Sequence, residues 1–227
     1  MTKHFPNFLT LCNLACGCYG IVMVFSGEIQ LGSIMIWTGA VFDFLDGFAA
    51  RMLNKFSSIG KDLDSLADLV TFCFLPGSIL FVLIDKVSEH NWLPFFGFLL
   101  VLFGALRLAR FNNDTRQSEN FYGLPVPASG IFVSGFPFIS TLGDSGFYGL
   151  LTNQYILAGI AVVLSGMMIS NVKLMSLKFK DASLKANWSR YVLIIISLLL
   201  LILFEPVALP LIIILYVVLS AALNFIK

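Results

Sequence analysis

Long apolar segments separated by short polar stretches run along almost the whole chain. A helix needs about 20 predominantly apolar residues to cross a bilayer. Eight segments approach or reach this length, and they occupy residues 8–25, 29–48, 63–84, 92–111, 127–142, 155–172, 188–204 and 207–225. With 58% hydrophobic and only 12% charged residues, the composition is that of a membrane protein. The pattern predicts an all-α integral membrane protein with about eight transmembrane helices.

The lysines and arginines are distributed unevenly between the two sides of this predicted bundle. If the N-terminus is placed in the cytoplasm, all but Lys86 of the 14 basic residues fall on the cytoplasmic side. The positive-inside rule favours this orientation. We therefore expect both termini to be cytoplasmic, in a bacterial cell membrane. The basic residues do not cluster into a groove, and the net charge is only +1, so a nucleic-acid partner is not expected.

Four aspartates interrupt the apolar pattern between residues 41 and 69. Asp43 and Asp46 are three residues apart, and Asp64 and Asp68 are four apart, so each pair lies on one face of its helix. Each aspartate costs roughly 2.5 to 3.5 kcal/mol at the centre of a membrane helix. Such an energetic cost indicates that the aspartates have a function. We expect the two pairs to face each other near the cytoplasmic face.

Opposed carboxylate pairs suit two divalent cations. A site made of carboxylate oxygens favours Mg²⁺ or Mn²⁺, and a pair of such ions is typical of phosphoryl transfer. The neighbouring residues fit a bulky phosphate ligand: Gly47 and Gly60 leave space, Arg51 offers a permanent positive charge, and Ser57 is a candidate helix cap. The alternative is that the aspartates are solvated ends of two helices. It explains one or two acids, but not two pairs in helical register.

The full pattern is Asp43-x2-Asp46-Gly47-x2-Ala50-Arg51-x8-Gly60-x3-Asp64-x3-Asp68. It matches every fixed position in the signature of the CDP-alcohol phosphotransferases, a family of integral membrane enzymes. The resemblance implies a homodimer in which each chain has a six-helix core. We therefore expect residues 1–227 to form one membrane domain, with a catalytic core at 1–175 and a basic loop and helical hairpin at 176–227.

The resemblance also implies a role for each residue of the signature. Asp43 and Asp64 would bridge both metal ions, Asp46 would complete the first site, and Asp68 would complete the second. Asp68 would also be the catalytic proton acceptor.

Four further residues within the span of the signature are expected to contact the CDP-linked lipid. These candidate residues are Gly47, Arg51, Ser57 and Gly60.

Other stretches resemble the family members that use serine, the CDP-diacylglycerol–serine phosphatidyltransferases. They are residues 6–17, 63–68, 106–112 and 123–128. This resemblance implies transfer of a phosphatidyl group from CDP-diacylglycerol to L-serine, with release of CMP. A sister enzyme that uses glycerol 3-phosphate or inositol phosphate is the alternative. A divalent-cation transporter is a more distant alternative. In such a protein the acidic residues would be expected near the bilayer midplane, between two repeated halves of the chain, and no repeat is visible.

Three basic residues are candidates for binding the serine carboxylate. Arg107 and Arg110 lie on neighbouring turns of the fourth segment, and Lys173 follows the sixth. Capture of an anion by this arginine pair and snorkelling of interfacial charges towards water explain the pattern equally well.

Several further polar residues have simpler interpretations. Asn13 lies one turn inside the first segment, where a hydrogen bond to a neighbouring helix is favoured over direct ligand contact. The four cysteines have no zinc-site spacing and are expected to pack as small apolar residues. His4 and His90 lie on opposite sides of the bundle and are not expected to be catalytic.

Overall fold

The computed structural model describes residues 4–53, 58–113, 121–142, 149, 153–175 and 184–225, and most of them are helical. The α-helices of these ranges are α1 (Phe5–Phe25), α2 (Ile29–Met52), α3 (Ser58–Leu69), α4 (Leu75–Asp85), α5 (Leu99–Asn113), α6 (Val126–Ser134), α7 (Gln154–Ile169), α8 (Leu184–Phe204) and α9 (Ala208–Phe225). Short 3-10 helices at Leu93–Phe98, Phe136–Leu142 and Glu205–Val207 extend or join them.

Each of the eight predicted segments coincides with a helix, so the multi-pass all-α membrane fold is confirmed. The stretches long and apolar enough to cross a membrane are Phe5–Phe25, Ile29–Met52, Ser58–Asp85, Leu93–Asn113 and Asn187–Leu223, the last of which contains both α8 and α9. Val126–Ile139 and Gln154–Ile169 are shorter apolar helices. The predicted third segment began at residue 63, whereas its helix begins at Ser58, because hydropathy does not detect a polar first turn.

The third span changes its helical winding directly after the aspartates. Between α3 and α4, Val70–Phe74 form a π-helical turn. Pro76 follows on the first turn of α4 and has no N–H to donate to the carbonyl of Phe72, so a regular α-helix cannot continue unchanged here. Single π-turns are frequent at functional sites. This turn allows α3 and α4 to present different faces to the bundle.

Close contacts between α1, α2 and the π-turn set the position of the acidic residues. The Thr71 hydroxyl donates to the backbone carbonyl of Asn13, at 2.9 Å. A Cβ atom at Gly39 would lie 2.5 Å from Thr71 Cγ2 and 2.9 Å from Asn13 Oδ1. Small residues let membrane helices approach closely, and only glycine fits at this point of the α2 surface.

A short antiparallel strand pair joins the start of α6 to the end of α7. Strands β1 (Phe121–Tyr122) and β2 (Lys173–Leu174) are paired, with Tyr122 opposite Lys173. Gly123 follows β1 with φ of +75°, which favours glycine, and its N–H donates to Val172 O at 2.9 Å. The turn after β1 is thus fastened to the end of α7 by a strand pair that hydropathy did not predict.

The C-terminal helices are anchored to the rest of the bundle next to β2. α9 packs against α6, α8 and β2. The Tyr216 hydroxyl donates to Met175 O at 2.9 Å, and the Ser189 hydroxyl lies 3.3 Å from Met175 Sδ. The hairpin expected after residue 175 therefore contacts the preceding helices through buried side chains. The division into a core at 1–175 and a hairpin at 176–227 stays a prediction.

Candidate active site

The structure brings the predicted aspartate pairs together from two helices. Asp43 and Asp46 lie on α2, and Asp64 and Asp68 lie on α3. Carboxylate oxygens of Asp43, Asp64 and Asp68 all lie within 4.8 Å of one another. Asp46 is buried and interacts electrostatically with the other three carboxylates. Each pair therefore lies on one face of its helix, and the two acidic faces are directed towards each other, as the sequence predicted.

This donor set fits a hard divalent cation. Three carboxylate oxygens converge on one small volume, and Mg²⁺ and Mn²⁺ prefer oxygen ligands. Like charges at this separation repel one another strongly where water is excluded. A divalent ion among them would replace that repulsion with attraction. Asp43, Asp64 and Asp68 therefore have suitable chemistry and placement for this role, whereas Asp46 lies outside this converging group.

Helix α1 supplies a polar partner to each aspartate pair. The Thr10 hydroxyl donates to Asp46 Oδ2 at 2.6 Å, and both residues are buried. The Asn13 amide donates to Asp68 Oδ1 at 3.4 Å, which confirms the interpretation of Asn13 as bonded to a neighbouring helix. Thr10 was not predicted from the sequence. Its signal was present, because Thr10 lies three residues before Asn13 and therefore on the same side of the helix.

Candidate residues for the CDP-linked lipid lie beside the aspartates, on α2 and at the start of α3. A Cβ atom at Gly47 would lie 3.6 Å from Arg51 Nη1, so the guanidinium group covers this glycine. Arg51 is exposed near the end of α2, and Gly60 is half-buried on the first turn of α3. Ser57 lies outside the described residues.

The three acceptor candidates differ in their environment. Arg107 is buried, with 8% of its surface exposed, whereas Arg110 and Lys173 are exposed. The two arginines are neighbours on one side of α5, but Arg110 lies on the last turn, at the end of the helix, whereas Arg107 lies one turn further from that end. Interfacial snorkelling therefore suits Arg110 but does not describe Arg107.

Arg107 lies next to the acidic cluster inside the bundle. Its guanidinium group interacts electrostatically with Asp68 and lies 5.9 Å from the centre of the Phe111 ring. Its Nε finds no hydrogen-bond partner among the residues that the structure describes. A buried guanidinium N–H without a partner is costly, and an anionic ligand would satisfy it.

Two hydrogen bonds connect the end of α5 with α3. Lys61 Nζ donates to the Asn112 carbonyl at 2.7 Å, and the Asn112 amide donates to the Ser65 hydroxyl at 2.9 Å. Ser65 directly follows Asp64, so these bonds hold the end of α5 against the helix that carries Asp64 and Asp68. This role of Asn112 was not predicted from the sequence, although the residue lies in one of the stretches that carry the resemblance.

The cysteines take no part in the acidic cluster. All four are free thiols, and Cys73 is buried while Cys18 is exposed. Within the described ranges, the group of possible metal ligands consists of aspartates alone. The burial of Cys73 agrees with packing as a small apolar residue, whereas Cys18 lies exposed on its helix.

Comparison with known proteins identifies the family. Residues 3–167 match the family model described as CDP-alcohol phosphatidyltransferase. The chain belongs to this family. The membrane transferase family expected from the aspartate signature is therefore confirmed, and the signature lies wholly inside the matched region of this CDP-alcohol phosphatidyltransferase.

Curated relatives extend the similarity over most of the chain. A CDP-diacylglycerol–serine O-phosphatidyltransferase of Bacillus subtilis is 34% identical over 161 residues, which cover 67% of this chain and 88% of the relative. A protein of the same name from Helicobacter pylori is 30% identical over 197 residues, covering 86% and 79% of the two chains. An archaetidylserine synthase of Methanothermobacter thermautotrophicus is 31% identical over 170 residues, covering 74% and 68%.

Proposed function

We propose that this CDP-alcohol phosphatidyltransferase transfers the phosphatidyl group of CDP-diacylglycerol to L-serine. The serine hydroxyl oxygen would attack the lipid-side phosphorus, the bond from that phosphorus to the CMP oxygen would break, and the products would be phosphatidylserine and CMP. The observation that carries the proposal is the burial of Arg107 on α5, which packs against α3, the helix of Asp64 and Asp68. The names of the relatives from Bacillus subtilis and Helicobacter pylori support the choice of serine.

The four aspartates are the proposed ligands of two divalent cations, Mg²⁺ or Mn²⁺. Asp43 and Asp64 would bridge the two sites, Asp46 would complete the first, and Asp68 the second. Bound divalent ions supply positive charge that stabilises the pyrophosphate and the departing CMP. Thr10 holds Asp46 in place by the hydrogen bond described above, and such bonds to metal-binding carboxylates commonly tune both orientation and affinity.

Asp68 is the proposed proton acceptor. It is buried on α3 and accepts a hydrogen bond from Asn13, which orients one carboxylate oxygen. A carboxylate is a weak base for an alcohol, so the serine proton would move to Asp68 as the new bond to phosphorus forms.

Arg107 is the proposed receptor for the serine carboxylate. Its planar guanidinium group matches a carboxylate in geometry as well as in charge. Arg110 and Lys173 are exposed and would attract the anion from outside rather than hold it inside the bundle. Gly47, Arg51, Ser57 and Gly60 remain the proposed contacts of the CDP-linked lipid.

The alternative acceptors carry a phosphate with up to two negative charges. Glycerol 3-phosphate or inositol phosphate would favour more than one basic side chain near the aspartates. Among the described residues, Arg107 is the basic side chain buried beside the aspartates. This supports a carboxylate acceptor over a phosphorylated one.

Orientation and assembly belong to the same proposal. The distribution of basic residues favours a site that opens to the cytoplasm, where nucleotides are available. The resemblance to the family favours a homodimer in a bacterial cell membrane.

The test is CMP release by the purified protein in lipid–detergent micelles containing CDP-diacylglycerol and Mn²⁺ or Mg²⁺. We expect release to depend on L-serine and the label of radioactive serine to enter the lipid phase. CMP release that depends instead on glycerol 3-phosphate or inositol phosphate would identify that compound, and not serine, as the acceptor. Uptake of Mn²⁺ into proteoliposomes, without CMP release under any condition, would support the transporter alternative.

Replacing Thr10 with valine is expected to weaken Mn²⁺ binding about 10- to 100-fold, because Asp46 loses the hydrogen bond that orients it. Mn²⁺ binding to the purified protein can be measured by electron paramagnetic resonance without any lipid substrate. Thr38→Val is the matched control. Among the described residues, the Thr38 hydroxyl donates only to the carbonyl of Ile34, one turn earlier on the same helix. Equal Mn²⁺ affinity in both variants would contradict a positioning role for Thr10.

A further inference from the structure

Thr71 forms a hydrogen bond from one membrane span to another. It lies in the π-turn that follows α3, and its side chain is buried. A threonine hydroxyl in a helix commonly bonds a carbonyl one turn earlier in its own chain. The Thr71 hydroxyl instead donates to the backbone carbonyl of Asn13 on α1, at 2.9 Å. This bond therefore fastens the π-turn to one defined residue of α1.

Asn13 is attached at two points to residues that lie one turn apart. Its backbone carbonyl accepts the bond from Thr71, and its side-chain amide donates to Asp68 Oδ1 at 3.4 Å. Asp68 and Thr71 are three residues apart, so they lie on the same side of the third span. All three residues are buried. A single residue of α1 therefore contacts both the proposed proton acceptor and the turn directly after it.

Two glycines allow the three helical segments to approach closely at Thr71. A Cβ atom at Gly17, one turn after Asn13, would lie 2.5 Å from the Thr71 hydroxyl oxygen. A Cβ atom at Gly39 on α2 would lie 2.5 Å from the Thr71 methyl carbon, Cγ2. The two branches of the Thr71 side chain thus have different neighbours. The hydroxyl contacts α1, whereas the methyl group packs against α2.

The bond between Asn13 and Asp68 depends on the exact position of α1. Most N–H···O bonds measure about 2.7 to 3.2 Å, so a bond of 3.4 Å lies near the upper limit. A further separation of a few tenths of an ångström would break it. The shorter bond from Thr71 fixes the backbone from which the Asn13 amide extends. Loss of the Thr71 hydroxyl would therefore release Asn13 from Asp68.

We infer that Thr71 is a positioning residue for the proton acceptor and that it acts through Asn13. The Thr71 hydroxyl keeps the Asn13 backbone where the amide reaches Asp68, and the amide fixes the orientation of the carboxylate. This inference rests on the proposed function, because it takes Asp68 as the group that accepts the serine proton. Thr71 itself does not contact the reacting atoms.

A purely structural role for Thr71 makes a different prediction. If Thr71 only joined the helices, its variants would lose stability without a specific loss of turnover. Thr71→Val keeps the branched shape that packs against Gly39 and removes the hydroxyl, whereas Thr71→Ser keeps the hydroxyl and removes the methyl group. The two variants therefore separate the hydrogen bond from the packing.

The experiment compares both variants with the wild type in the full-length protein. Initial rates of CMP release are measured at saturating Mn²⁺ while serine and CDP-diacylglycerol are varied in turn. For Thr71→Val we expect kcat to fall about three- to tenfold, as for loss of one hydrogen bond, and both KM values to change less than about twofold. Thr71→Ser should keep kcat within about twofold of the wild type, although its Tm should fall because a buried methyl group is lost.

Ser78→Ala is the matched control for removal of a buried hydroxyl. Ser78 lies later in the same span, and its hydroxyl donates to the carbonyl of Phe74 in that span. Its loss leaves the contact between Thr71 and Asn13 in place. We expect kcat of Ser78→Ala to stay within about twofold of the wild type.

A double-mutant comparison tests whether Thr71 acts through Asn13. Asn13→Ala removes the amide that bonds Asp68 but keeps the backbone carbonyl that accepts from Thr71. We expect Asn13→Ala to lower kcat at least as much as Thr71→Val. In the Asn13→Ala background, Thr71→Val should have no further effect on kcat, because the link to Asp68 is already absent.

The outcomes separate this inference from the proposed function. Wild-type protein without serine-dependent CMP release would overturn the proposed function, and the inference with it. If the wild type uses serine, an unchanged kcat in Thr71→Val or in Asn13→Ala would overturn the inference alone. An equal fall of kcat in Thr71→Ser or Ser78→Ala would also overturn it, because either result indicates general loosening of the span. Effects of Thr71→Val and Asn13→Ala that multiply in the double variant would exclude action through Asn13.

Discussion

Replacing Asp68 with asparagine is expected to lower serine-dependent CMP release about a thousandfold or more. The substitution removes both the proposed proton acceptor and a proposed metal ligand, and general-base catalysis alone commonly contributes about 10²- to 10⁴-fold. The amide is similar in size to the carboxylate and keeps an oxygen that can accept the hydrogen bond from Asn13. The loss would therefore be chemical and not a consequence of misfolding.

Thermal unfolding of the metal-free protein provides a check on this interpretation. Asp68 is buried beside Asp43 and Asp64, whose carboxylate oxygens lie within 4.8 Å. Removing one negative charge from this cluster reduces repulsion, so the Tm of metal-free Asp68→Asn is expected to equal or exceed that of the wild type. Added Mn²⁺ should raise the Tm of the variant less than that of the wild type, because the variant has one ligand fewer.

Asp62 offers a matched control on the same helix. It lies on the first turns of α3, is exposed, and is not part of the converging carboxylates. Asp62→Asn removes the same charge from the same helix and is expected to keep CMP release within about twofold, as for most exposed surface substitutions. An Asp68→Asn variant that retained more than a tenth of wild-type activity would be incompatible with the role proposed for Asp68.

The positions of the aspartates were predictable because they depend on helix geometry alone. The spacings of Asp43 from Asp46 and of Asp64 from Asp68 place each pair on one helix face, and the apolar flanks require that face to be sheltered. The transmembrane segments were predictable for a similar reason, since bilayer thickness sets their length. Both are local properties of the sequence.

Contacts between distant segments were not predictable in the same way. Thr10 meets Asp46 across 36 residues, and Tyr216 meets Met175 across 41. Such pairs depend on how the helices rotate about their axes, which hydropathy leaves open when a helix is apolar on all sides. Charge type was equally insufficient for Arg107 and Arg110, because only the packing of α5 decides which of them is buried.

Replacing Arg107 with glutamine is expected to raise the KM for serine about 10- to 100-fold. Hydrogen bonds to charged groups contribute about 1.5 to 3 kcal/mol, and a buried guanidinium loses little of this to solvent. The KM for CDP-diacylglycerol should stay within about threefold of the wild type, because the proposed lipid contacts lie on α2 and α3. Initial rates of CMP release, with serine and CDP-diacylglycerol varied separately, measure both constants.

Three further substitutions show whether the effect of Arg107→Gln depends on the shape, the position or only the charge of the side chain. Arg107→Lys keeps the positive charge but loses the planar fork, so its KM for serine should fall between those of the wild type and Arg107→Gln. Arg110→Gln should have a smaller effect than Arg107→Gln, because Arg110 is exposed. Lys86→Gln removes an exposed charge after α4 and serves as the control for net charge. Equal losses of affinity for serine and for CDP-diacylglycerol in Arg107→Gln would show that Arg107 supports the site as a whole and does not select the acceptor.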